Sequence, residues 1–164
     1  MKFSTHPATI FVIAVCVAAI ASALVAQYGF GLRPCELCLI QRIPFLAGGL
    51  LAAASAYPGL STGLRNGLIA LAGVLLLGNS GIAVYHVGVE QHWWASACSS
   101  GSAPAVDVTS SDFLASLNRP ATVSCDQPSW EWHGITMAAM NILYSFGVGV
   151  VTLGLLIRGK RYGW

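Results

Sequence analysis

Charged residues fall in a few short clusters along this chain, and four uncharged stretches run between them: Phe3 to Leu32, Ile43 to Leu64, Asn66 to Val89 and Trp132 to Ile157. Crossing a hydrocarbon core takes about 20 helical residues, so each stretch is long enough to span a bilayer. The pattern predicts spans over residues 8–27, 41–58, 66–87 and 135–157, with outer loops over 28–40 and 88–134. The expected fold is all-α, an integral membrane four-helix bundle forming one domain over residues 1–164. A short extra helix is expected in the second outer loop. There "SSDFLASLN" (110–118) puts Phe113, Leu114 and Leu117 on one face behind a Ser/Asp cap, the pattern of a helix lying on a membrane surface.

Composition sharpens this picture. With 55% hydrophobic and 9% charged residues, the chain is neither an ordinary soluble domain nor a disordered tail. Its net charge of +2 comes without a basic run or an aromatic-basic stripe, so nucleic acid is not an expected partner. In the first span, Lys2, the apolar run and "ASA" at 21–23 resemble a cleavable signal peptide. The run from Ala8 to Ala26 exceeds the 7–15 residues or so of a signal's apolar region, and an uncleaved span is expected.

Basic residues orient the bundle. Lys2, Arg65, Arg158, Lys160 and Arg161 fall on one side of the four spans, while Arg33, Arg42 and Arg119 fall on the other. The positive-inside bias makes the first side cytoplasmic. Tyr28, Phe30, Trp93, Trp94, Trp130 and Trp132 then sit where an outer aromatic belt belongs.

That orientation gives the cysteines meaning. Cys35, Cys38, Cys98 and Cys125 all lie in the outer loops or at their helix junctions, and Cys16 alone lies mid-span with no evident partner. Outside the cytoplasm thiols tend to pair, so Cys35–Cys38 and Cys98–Cys125 are the simplest disulfides, with the other pairings still open. Closing the loop from Cys98 to Cys125 removes about 3–4 kcal/mol of unfolded-state entropy, as a structural staple does. A Cys-x-x-Cys ring closes almost nothing, which points to electron exchange instead. Covalent haem would need His after the second cysteine, where Leu39 stands. A closed zinc site would need further ligands, and His92 and His133 lack ligand spacing, so no metal is expected.

The stretch "RPCELCLIQRIPF" (33–45) carries the densest chemistry. Pro34 stops the chain before a helix expected to begin near Cys38, which would place Cys38 at the positive end of the helix dipole and favour its thiolate. In a continuous helix Arg42 stacks one turn deeper on the same face, where its cation can hold a thiolate or a polarised carbonyl oxygen. The bland alternative is that Arg42 snorkels to the interface. His86 and Glu90, four apart at the outer end of the third span, share a face and are candidates for hydrogen bonding a ligand or moving protons. Gly59, Gly63 and Gly67 read as a cytoplasmic turn with close packing.

These features together resemble the disulfide bond formation protein B family: "CELCLIQR" opening the second span, "YHVGVEQHWW" (85–94) ending the third, single cysteines at 98 and 125 in a long outer loop, and W-x-W-H-G-I-T-M (130–137) entering the fourth. The resemblance covers essentially the whole chain. It implies a quinone-linked thiol oxidase of the bacterial inner membrane, with its redox cysteines facing the periplasm. The implied partner is a periplasmic thioredoxin-fold oxidase of the DsbA type, and the implied cofactor is a membrane quinone, ubiquinone or menaquinone. Catalysis would fall to Cys98 and Cys125, which meet the partner, and to Cys35 and Cys38, which receive the electron pair. Arg42, His86 and Glu90 would bind the quinone, with His86 better supported than Glu90. Trp93 and Trp94 can cover a ring, although a belt position suits them better. Two other readings remain open: a vitamin-K-epoxide-reductase-like enzyme, in which the Cys-x-x-Cys is expected late in the bundle, and a non-catalytic scaffold stapled at Cys98–Cys125.

Overall fold

The computed structural model of the chain describes residues 7–95, 98 and 123–162. Four helices long and apolar enough to cross a membrane run over Pro7–Gly29, Glu36–Ser55, Thr62–Glu90 and Met137–Gly159. The first is α1 (Pro7–Leu24) continued by a π-helical turn, Val25–Gly29. The second is α2 (Glu36–Ile40) followed by α3 (Arg42–Ser55). The third is α4 (Thr62–Glu90) and the fourth α5 (Met137–Tyr162). A two-residue hairpin, β1 (Glu131–Trp132) against β2 (Ile135–Thr136), turns through His133 and Gly134 at positive φ and leads into α5. Helix α4 packs on α3 and α5, and α1 packs on α3 and α5, so the four spans close into a bundle. The helix expected over 110–118 lies outside the described residues, as do Lys2 and Arg119.

Local chemistry sets the element ends. Pro7 opens α1, a position where its missing N–H costs nothing. Ser61 caps α4 by accepting the Leu64 N–H at 3.3 Å. The second span begins at Glu36, earlier than the expected 41, because Cys35 caps it in an extended conformation. The break between α2 and α3 at Gln41 traces to Pro44, which has no N–H for the Ile40 carbonyl and crowds it with its ring. Gln41 keeps helical dihedrals (φ −64°, ψ −16°), so the span continues across the break.

The core draws on all four spans: Val12 and Cys16 from α1, Phe45 and Ala52 from α3, Ala72 and Leu76 from α4, and Val148 from α5. Cys16 is thus a small packing residue of the core. Helices α4 and α5 approach closely at Gly149, where an added Cβ would stand 2.7 Å from the Leu77 side chain and 3.1 Å from the Gly73 carbonyl oxygen. Gly59 takes its expected turn conformation at φ 95°. Gly63 and Gly67 do not make the close contact expected of them: a Cβ at either would meet nothing within 4 Å. Ile10, Val17, Leu50, Leu143 and Phe146 are each more than half exposed, an outward apolar surface suited to lipid.

Candidate functional site

The end of the bundle where α2 begins and α4 finishes gathers both cysteine pairs. Cys98 and Cys125 form a disulfide with Cα atoms 6.2 Å apart. Cys35 and Cys38 are thiols with their sulfurs 2.7 Å apart. A parallel bridge between Cys35 and Val123 draws the strand segment before Cys125 alongside the start of α2. As a result Cys35, Cys98 and Cys125 are buried in one cluster with Leu37 and Val89, and Cys38 and Tyr85 pack against it. Sequence spacing alone does not bring the two pairs together; the bridge does.

As N-cap of α2, Cys35 accepts the Cys38 backbone N–H at 3.2 Å through its sulfur. Cys38 is therefore the third residue of a helix that starts at Glu36, two residues earlier than the start near Cys38 expected from Pro34. The Cys35 thiol donates to the Cys38 sulfur, and this bond first, then burial, holds its pKa above the ordinary thiol range. The proton of the pair therefore rests on Cys35.

Cys38 opens onto a cavity of about 580 Å³ between the end of α1, α2 and α3, and α5. Its walls are largely apolar, including Ala19, Ala23, Phe45 and Met137. Arg42, Gln41, His86 and Asn141 supply its polar edge. Arg42 donates from Nη1 to Gln27 Oε1 at 2.7 Å. Gln27 sits in the π-helical turn that ends the first span, and such turns recur at functional sites because they re-aim one side chain. Of the tryptophans, Trp130 lines the cavity, whereas Trp93 and Trp94 do not.

His86 is buried behind the cysteines, its Nε2 3.5 Å from the Cys35 sulfur and 3.8 Å from Glu90 Oε1. Its Nδ1 lies 3.0 Å from Gln41 Nε2. Glu90 does not line the cavity; it accepts the Thr136 hydroxyl proton at 2.6 Å, and Thr136 in turn accepts the Ala139 N–H at the start of α5. Glu90 thus ties α4 to α5 beside His86. Cys35, Cys38 and His86 also place three ligand-type atoms within 4.8 Å of one another. The other ring nitrogen of His86, Nδ1, faces the Gln41 amide nitrogen, which has protons to donate and cannot accept one.

Sequence reasoning missed Gln27, Gln41, Asn141, Ser145 and Asn79. Each is an uncharged polar side chain inside an apolar span, and that isolation was the available signal.

Helix α4 ends in a tight reversal. The Trp93 N–H bonds to the Gly88 carbonyl at 2.8 Å and the His92 N–H to the Val89 carbonyl at 3.1 Å, with His92 at φ 59° where glycine is usual. This folds Trp94 back over Gly88, stacked on Tyr85 with centroids 5.8 Å apart and donating from Nε1 to the Tyr85 carbonyl at 3.0 Å. A Cβ on Gly88 would stand 2.0 Å from the Trp94 ring. At the other stem, Ser129 donates to the Arg33 carbonyl at 3.0 Å.

The family model for disulfide bond formation protein DsbB matches residues 5–155. Among similar chains, a disulfide bond formation protein B of Methylococcus capsulatus is 32% identical over 146 residues, covering 84% of this chain and 85% of that protein. A disulfide bond formation protein B 2 of Pseudomonas savastanoi pv. phaseolicola is 30% identical over 147 residues, covering 84% and 80%. A disulfide bond formation protein B of Stutzerimonas stutzeri is 26% identical over 162 residues, covering 93% and 96%. No solved structure matches the chain. The match runs from the first span to the last and across all four outer cysteines, so this chain belongs to the disulfide bond formation protein B family.

Proposed function

We propose that this protein reoxidises a periplasmic dithiol oxidase of the thioredoxin fold and delivers the electron pair to a membrane quinone. The observation that carries this reading is the continuity of the site: a buried disulfide, a second cysteine pair in the same cluster, and a largely apolar cavity onto which Cys38 of that pair opens.

A thiolate of the reduced partner attacks Cys98, forming a mixed disulfide and breaking the Cys98–Cys125 bond, and Cys125 leaves as thiolate. With the Cys35–Cys38 pair oxidised, the Cys125 thiolate attacks Cys35, held alongside by the Cys35–Val123 bridge, and Cys38 leaves as thiolate. The N-terminal turn of α2 and the nearby Arg42 guanidinium favour that leaving charge. The partner's second thiolate then attacks the mixed disulfide, which releases the oxidised partner and frees Cys98, and Cys98 attacks Cys125, restoring their disulfide as Cys35 leaves as thiolate.

The cavity fits a quinone head. Its volume lies within the roughly 300–1,000 Å³ of small-ligand sites, its walls are apolar, and its few polar groups converge at the Cys38 end. Arg42, Gln41 and Asn141 would hold the carbonyl oxygens against the apolar wall of Phe45 and Met137. A bound quinone supplies an acceptor for two electrons and two protons, which gives the driving force to reoxidise a strongly oxidising partner. The basic ends of the spans support an inner-membrane orientation with the site at the periplasmic face.

The experiment is quinone consumption by the purified full-length protein with a reduced DsbA-type partner under anaerobic conditions. One quinone reduced per two partner thiols is expected, with ubiquinone and menaquinone assayed in parallel. Partner oxidation at the same rate without quinone would overturn the reading.

A further inference from the structure

A chain of hydrogen bonds runs from the bundle core to the redox pair. Asn79 Nδ2 donates to Ser145 Oγ at 3.0 Å, and Ser145 Oγ donates to Asn141 Oδ1 at 2.8 Å. Asn141 Nδ2 then donates to Gln41 Oε1 at 2.6 Å, and Gln41 Nε2 faces His86 Nδ1 at 3.0 Å. The residues come from α4, α5, the α2–α3 joint and α4 again. Every link points the same way. A primary amide nitrogen has only protons to offer, so once Asn141 occupies the Gln41 oxygen, Gln41 presents a donor to His86. Nδ1 must then accept, and the proton of the ring sits on Nε2, the nitrogen 3.5 Å from the Cys35 sulfur. The far end of the chain has a cost: Asn79 Oδ1 is buried without a hydrogen-bond partner.

We infer that Gln41 is a positioning residue for the redox step: held by Asn141, Ser145 and Asn79, it fixes His86 as the Nε2–H tautomer, so that a ring N–H faces the Cys35 sulfur. The inference rests on the reading of Cys35–Cys38 as the redox pair. When the Cys38 sulfur is engaged elsewhere, the Cys35 thiol loses the acceptor of its own proton, and its thiolate keeps two donors, the Cys38 backbone N–H and His86 Nε2–H. That thiolate leaves when a disulfide to Cys35 is broken and attacks when the Cys35–Cys38 bond is remade, so its charge is shared at both moments. Ring-nitrogen tautomers are set in this way by the bond the opposite nitrogen makes. The other groups within electrostatic reach of the pair are Arg42 from α3 and Glu90 from α4, and Cys98–Cys125 does not titrate.

The test uses the full chain in lipid nanodiscs, labelled with ¹⁵N at histidine, with the His86 signals assigned by their loss in His86→Gln. At neutral pH the wild type should show Nδ1 unprotonated and Nε2 protonated. Gln41→Glu replaces the donor with an acceptor, and Nδ1 should become protonated. Separately, with Cys38→Ala and the other cysteines replaced, alkylation of Cys35 below its pKa should slow about tenfold on Gln41→Leu, the value of one lost charge-assisted contact. A protonated Nδ1 in the wild type, or an unprotonated Nδ1 in Gln41→Glu with Cys35 alkylation unchanged in Gln41→Leu, would overturn the inference; the wild-type spectrum decides even where a variant misfolds. If Cys35 and Cys38 fail to interconvert between dithiol and disulfide in glutathione buffers, the redox reading itself falls. If they interconvert while Nδ1 carries the proton, only the tautomer assignment falls.

Discussion

Replacing Arg42 by alanine separates the two halves of the proposed route. Arg42 lines the cavity with Cys38 and is held toward it by Gln27 at 2.7 Å. At a lipid-level boundary a cation is costly to keep unless negative charge answers it, and the charge that develops here sits on the Cys38 sulfur or on an oxygen bound beside it. A hydrogen bond to a charged group contributes about 1.5–3 kcal/mol, which corresponds to roughly 10- to 150-fold in rate. Arg42→Ala should therefore slow quinone reduction at subsaturating quinone by at least about tenfold. Mixed-disulfide formation at Cys98, followed by gel shift, should persist, because in the proposed order of exchange it precedes the step in which Arg42 takes part. Arg42→Lys should restore part of the rate, since it keeps charge and loses the planar fork. Gln27→Leu should give a smaller loss, as it frees Arg42 without removing it. An unchanged rate in Arg42→Ala across subsaturating quinone would make Arg42 a membrane anchor and remove the cavity from the mechanism.

Three further outcomes are expected. Cys125→Ser should trap a mixed disulfide between the partner and Cys98, since the returning thiol is gone; an inability to trap it, with Cys98→Ser still active on the partner, refutes that order of exchange. A membrane-impermeant thiol reagent should reach reduced Cys98 only from the periplasm while a reporter fused near Arg65 reads cytoplasmic, and the opposite labelling refutes the orientation. Gly88→Ala should expel Trp94 from its seat, losing a ring stack and a hydrogen bond worth about 1–3 kcal/mol together against a helix-propensity gain of about 1 kcal/mol. A net loss of up to about 2 kcal/mol should appear in thermal unfolding along with a shift in tryptophan emission, and an unshifted spectrum contradicts the packing.

The spans were legible because a bilayer demands length and apolarity, and both are written locally in the chain. Cys98 and Cys125 were legible as a pair because both fall in one loop between the third and fourth spans, and the structure joins them in a disulfide. The start of the second span was not, because the cap at Cys35 is a sulfur, a type outside the usual capping set. Pro44 was visible, yet its effect falls three residues earlier, at the joint where Gln41 faces His86. The polar chain through Asn79, Ser145 and Asn141 depends on how helices α4 and α5 are rotated against each other, which close contact at Gly149 fixes and no single-helix pattern encodes. Glu90 reads as a ligand candidate by its spacing from His86, while its carboxylate is engaged by Thr136 across a helix junction.

The reversal at the end of α4 and the hairpin before α5 act as two fixed posts for the chain that carries Cys98 and Cys125. Trp94 is clamped over Gly88 on one side, and Ser129 is tied to the α1–α2 connector on the other. In the proposed route, a partner that opens the disulfide leaves each sulfur joined by four residues of chain to one of these anchors, Cys98 to Trp94 and Cys125 to Ser129. On that route the freed Cys125 would meet its next target at an effective concentration on the order of millimolar or more, an intramolecular hand-off whose rate is set by short tethers and does not depend on how much protein the membrane holds.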